Sequence, residues 1–91
     1  MNSPDLTLVT PTTPFSTVAR RWAAALAREG GENVTMKLFY DYHGQPIKVT
    51  ASSRWQDWHW VIDVTVYAYA EVEPGKYQGI QVTESVEVPS A

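Results

Sequence analysis

Both histidines follow an aspartate by two positions, as Asp41-x-His43 and Asp57-x-His59. On a β-strand, residues i and i+2 share a face, so each pair could offer a metal ion one oxygen and one nitrogen. A metal site needs three or four such groups converging, and nothing in the spacing joins the two pairs. No metal is expected. No cofactor is expected either, because the chain has no glycine-rich phosphate loop, no nucleophile elbow and no cysteine. A second constellation comprises Asp57, His59, Asp63, Tyr67 and Tyr69, all at odd positions of one segment. In a dry, concave sheet an aspartate of raised pKa beside a tyrosine could move protons on a small carbonyl compound. A half-exposed polar face with aromatic cross-strand neighbours is the simpler expectation.

The segment that must position these groups is WQDWHWVIDVTVYAYAEVE, residues 55–73, which holds three of the four tryptophans and two of the five tyrosines. Its even positions from Trp58 through Trp60, Ile62 and Val64 to Val72 are all apolar. A period of two separates the faces cleanly where a helix would scatter them, so the segment reads as one long strand with its even face toward a core. Fifteen such residues would run roughly 50 Å if straight, long for so small a domain. The strand must bend, bulge or extend past its own core.

The remaining elements follow from local signals. Thr13 and Pro14 suit a helix start. Phe15, Val18, Trp22 and Leu26 recur at helical spacing among alanines, and Gly30-Gly31 ends the run, predicting a helix over about 14–29. Residues 34–42 alternate as a strand, and His43-Gly44 makes a tight turn into Ile47, Val49 and Ala51, which places Tyr40 opposite Ile47 and Leu38 opposite Val49. Glu73-Pro74-Gly75-Lys76 is a turn into a last strand marked by Ile80, Val82, Val86 and Val88. A strict two-residue loop would set Tyr69 against Ile80. A three-residue loop, or a bulge near Gly79, matches Ala70 with Ile80 and Val64 with Val86, and burial favours that register.

The expected fold is α+β: one N-terminal helix packed on a four-stranded antiparallel meander, helix-β-β-β-β. Residues 1–13 form an extended arm, the three prolines within residues 1–14 forbidding a central strand there, and 14–91 form a single domain. In topology this order is similar to the cystatin and nuclear-transport-factor-like curved-sheet folds, and no functional residue is carried over from them.

A chain of 91 residues with a formal charge of −3 is large enough for one domain of modest stability. No apolar run approaches a membrane span, and MNSPDLTLVTPTTP lacks a basic start and apolar centre, so a soluble cytoplasmic protein is expected. Nucleic acid is an unfavourable partner, since the aromatics neighbour Asp57, Asp63, Glu71 and Glu73 and not a basic stripe. Protein binding is the leading functional expectation, by self-association as a homodimer or with another protein, through the aromatic sheet face or an edge strand. Trp55, His59, Asp63, Tyr67 and Tyr69 are the expected interface residues. A short acidic chain without catalytic motifs also has the profile of a phage- or mobile-element-encoded inhibitor, such as an anti-CRISPR protein. The rival expectation is a small-ligand binder or minimal enzyme with His59, Asp63 and Tyr67 in an enclosed pocket.

Overall fold

The computed structural model describes residues 13–89. A helix, α1 (Thr13–Arg28), precedes four strands, β1 (Thr35–Tyr42), β2 (Gln45–Gln56), β3 (His59–Glu73) and β4 (Lys76–Glu87). The strands make one antiparallel sheet in the order β1-β2-β3-β4. The architecture is the α+β helix-then-meander that the hydrophobic periodicities predict. The arm expected over residues 1–13 lies outside the described residues except for Thr13, which belongs to the helix.

Alanine-rich composition favours α1, and Gly30 and Gly31 end it with φ of 117° and 71°. Gly31 has a second reason to be glycine: a Cβ there would lie 2.3 Å from Cγ2 of Val88. The backbone just past the helix thus lies close against Val88, the residue after β4.

The buried stripe of α1 differs from the expected one. Phe15, Val18, Ala19, Ala23 and Ala27 are buried, whereas Trp22 and Leu26 are only partly buried. The small side chains at i, i+4 and i+8 let the helix lie close over β3 and β4, on one half of the sheet. Its large aromatics then reach sideways toward β1. Trp22 and Tyr40 have ring centroids 6.5 Å apart, Phe15 and Tyr42 6.4 Å, and the Trp22 indole N–H donates to the Tyr40 hydroxyl at 3.1 Å. Ile47, Val49 and Ala51 of β2 are buried in the same cluster as Ile62, Val64 and Val66 of β3.

The β1–β2 register sets Tyr40 against Ile47 and Leu38 against Val49, as predicted. His43 and Gly44 both have positive φ, 51° and 80°, which matches the twist of a two-residue hairpin. The next turn was hidden in the aromatic segment. β2 continues to Gln56, the chain reverses at Asp57-Trp58 with φ of 51° and 68°, and Trp55 faces Trp60 across the hairpin. Asp57 and Trp58 are therefore turn residues and not members of a strand face. Trp58 is 89% exposed, contrary to its expected place in the core strip. Period-two alternation runs on through a tight hairpin tip, so the pattern alone could not mark the reversal.

In the last hairpin the even faces coincide as burial requires, but the pairing is shifted two residues from expectation. Ala68 faces Ile80, Ile62 faces Val86, and Val64 faces Glu84. The extra residue lies in β3, between Glu71 and Glu73, and not near Gly79. The strand keeps its full length from His59 to Glu73, and the longest dimension of the molecule is 48 Å.

Candidate functional site

α1 covers the even face of β3, and no described element covers the odd face. Down that open face, β3 presents Asp63 between Ser52 and Ser85, Thr65 between Thr50 and Thr83, and Tyr67 between Lys48 and Gln81. Alternation puts these residues there; cross-strand pairing decides what each one meets.

Asp63 is held by Arg54, whose Nε donates at 2.7 Å and whose second guanidinium nitrogen lies 3.5 Å from the other carboxylate oxygen. The Ser85 hydroxyl donates to the same carboxylate. Burial pushes this carboxyl upward, but the hydrogen bonds from Arg54 and Ser85, with the Arg54 charge, outweigh it and leave Asp63 below the usual range. Asp63 is thus an ionised acceptor, opposite in character to the raised-pKa acid that proton transfer at pH 7 needs. The Thr65 and Thr83 hydroxyls pair at 2.8 Å.

Toward the β1–β2 turn the open face becomes aromatic. The Lys48 ammonium stands 4.2 Å from the centre of the half-buried Tyr67 ring, a cation–π arrangement. Tyr69 is 71% exposed, and its ring rests against Gly79, where an added Cβ would sit 3.6 Å from Tyr69 Cε1. Phe39 and Tyr77 are 70% and 65% exposed, and both belong to this face by strand parity. A shallow groove of about 390 Å³ runs between Phe39, Pro46, Lys48, Tyr67 and Tyr69.

His59 and Trp55 lie elsewhere. His59 starts β3, with Nδ1 3.0 Å from the Asp57 carbonyl and Nε2 3.2 Å from Glu87. Trp55 occupies the helix side of the hairpin tip, 56% exposed, edge-on to Trp60 at 5.5 Å and 71°. With Trp58, His59 and Arg28 these rings border a second groove, of about 890 Å³. Of the five expected interface residues, the structure therefore gathers Asp63, Tyr67 and Tyr69 on one face, sets His59 at its end, and puts Trp55 on the other side. His59, Asp63 and Tyr67 are spaced by four residues each along β3, about 13 Å per step, and share neither groove. The two Asp-x-His pairs sit at opposite ends of β2, and among the described residues no three His, Asp or Glu side chains converge.

Phe39, Lys48 and Tyr77 complete the aromatic end of the open face but were not among the expected interface residues. The signal for Phe39 and Lys48 was available: they occupy the off-core positions of the first hairpin and face each other in the predicted register. Tyr77 was legible from parity too: the expected three-residue-loop register already set it on the odd face, opposite Glu73, and the observed one pairs it with Glu71 on the same face.

The chain matches no known protein family, no curated protein and no solved structure closely enough to indicate kinship. Among the described residues, no helix is long and apolar enough to cross a membrane.

Proposed function

We propose that this is a non-catalytic protein-interaction domain, acting in the cytoplasm, whose open sheet face self-associates and binds a protein partner. One observation carries the reading: Phe39, Tyr69 and Tyr77, each 65–71% exposed, lie on a face that no described element covers. Antiparallel sheets commonly leave one face to water, but such faces are ordinarily polar. Here the polar half, with its Ser, Thr and Arg54–Asp63 pairs, gives way to a patch of large rings around a shallow groove. Exposed rings grouped beside polar residues suit an interface core with a wetter rim. Acidic neighbours and a charge of −3 make a phosphate backbone an unfavourable partner for the same rings. An inhibitor carried by a phage or mobile element is one class of protein that this profile suits.

The test is the double variant Tyr67→Ser/Tyr69→Ser. The core under α1 is untouched, so far-ultraviolet circular dichroism should match wild type while light scattering reports weaker association. A double variant that unfolds would assign both rings to the fold and remove the interface.

A further inference from the structure

β1 is an edge strand, and its sequence is self-complementary about Phe39. We propose that two copies of the chain pair antiparallel along β1, joining two four-stranded sheets into one, with Phe39 beside its symmetry mate. The proposal rests on the self-association reading above and adds an edge contact to the face contact: Tyr67 and Tyr69 stand on β3, two strands from this seam, so the two contacts are tested by separate variants.

Backbone parity comes first. The Ser53 N–H donates to the Val34 carbonyl at 3.1 Å, so the even residues of this stretch bond toward β2. The N–H and C=O groups of Thr35, Lys37, Phe39 and Asp41 therefore point outward along the free edge. An antiparallel partner must pair odd residues with odd residues, which leaves a small set of registers. Centring on Phe39 places Lys37 opposite Asp41 of the second copy, and the two-fold axis repeats that ion pair on the other side. The same register sets Leu38 against the second copy's Tyr40, and Met36 against its Tyr42, on the helix side. A shift of two residues either way sets Lys37 against Phe39, or Phe39 against Asp41, and loses the charge match. Isologous pairing requires this mirror order of charge and apolar side chains.

Within one chain these groups are free to serve. Lys37 has no hydrogen-bond or ion-pair partner among the described residues, and it faces Thr50 of β2. Among the described residues Asp41 accepts only the Gly44 N–H, at 3.0 Å, through one carboxylate oxygen. Because α1 lies over β3 and β4, β1 shows apolar side chains on both faces, Leu38 at 36% and Phe39 at 70% exposure. Soluble proteins usually blunt an edge with proline, bulges or unmatched charge. β1 has neither proline nor bulge, and its lysine, Lys37, is the charge that the proposed register matches with Asp41 of the second copy. The other edge, β4, offers no such match, since its Glu84 is already engaged by Ser16 and Arg20. Pairing along β1 would also bring the two Phe39 rings together and make the aromatic open faces continuous.

Charge exchange tests the seam. Lys37→Glu sets like charges opposite each other twice per dimer, and so does Asp41→Lys; each should weaken self-association on the order of tenfold. The double variant Lys37→Glu/Asp41→Lys restores both pairs and should recover wild-type association. An equimolar mixture of the two single variants should form the heterodimer in preference to either homodimer. Amide exchange at Lys37 and Phe39 should slow as wild-type concentration rises. That readout stands if Asp41→Lys disturbs its own turn. Dimers that ignore the Lys37→Glu change, with amides at Lys37 and Phe39 exchanging freely, would move the seam elsewhere and leave self-association intact. A monomeric wild type would remove both.

Discussion

Trp22→Ala is the most informative perturbation of the fold, because the helix sits off-centre and Trp22 spans the gap to β1. An indole buries on the order of 150–250 Å², and Trp22 is partly exposed, so roughly 100–150 Å² of apolar surface returns to water on truncation. At about 25 cal/mol per Å² this costs about 2.5–4 kcal/mol. The lost hydrogen bond to Tyr40 adds about 1 kcal/mol. A domain of this length has roughly 5–13 kcal/mol in hand, so the variant should still fold, with far less margin. Urea unfolding followed by tyrosine and residual tryptophan fluorescence is the assay, with m near 1–2 kcal/mol per M for so small a protein. The midpoint should fall by about 2 M or more, and the melting temperature by roughly 15–30 °C. Tyr40→Phe separates the two terms, since it removes the hydroxyl alone and should cost about 1 kcal/mol. A Trp22→Ala midpoint within about 0.5 M of wild type would refute the reasoning. It would mean that the alanine row on α1 holds the helix to the sheet without the aromatic bridge.

Three further outcomes follow from local geometry. The folded Asp63 carboxyl titrates below its unfolded value of about 3.9, so its pairing stabilises the fold above that pH. That contribution should drain away as pH falls through the depressed value. Asp63→Asn should lack this part of the acid loss, measured as urea midpoint against pH, and an unchanged acid profile would count against the Arg54–Asp63–Ser85 network. Trp58→Gly puts the preferred residue type at a turn position of φ 68° while giving up a side chain that is 89% exposed, so thermal unfolding should show no loss and up to about 1 kcal/mol of gain. A clear loss would show that the indole is covered in solution. Gly31→Ala drives a Cβ into Val88 at a positive φ and should destabilise by about 1–3 kcal/mol in chemical unfolding; a neutral result would mean the segment after β4 moves freely.

Much of this architecture was legible because two periods rarely coexist. The 3.6-residue spacing of Phe15, Val18, Trp22 and Leu26 gives a helix, and strict alternation around Ile62, Val64 and Val66 gives a strand whose even face is buried from Ile62 to Ala68. Both calculations concern local geometry, which sequence carries directly. What each face meets is not local. The alanines at 19, 23 and 27 read as helix formers, yet they are buried in the core under the helix, which lies over β3 and β4. Asp57-Trp58 escaped because neither residue is a glycine or proline, although aspartate tolerates the left-handed region. The last hairpin shows a half-success: burial dictated which faces coincide, while an extra residue between Glu71 and Glu73 set the offset. At the site, Tyr67 and Tyr69 were legible from parity. So was Tyr77, since a two-residue shift keeps its face, whereas Trp55 fell on the other side because β2 runs on to Gln56 before the chain turns.

Sedimentation equilibrium of the wild-type chain, across concentrations from micromolar to near-millimolar, tests the central claim most directly. An interaction domain whose open aromatic face self-associates should move reversibly from monomer to dimer, with Tyr67→Ser/Tyr69→Ser shifting the transition to higher concentration at unchanged circular dichroism. A wild-type chain that remains a single monomeric species to the highest concentration would contradict the account.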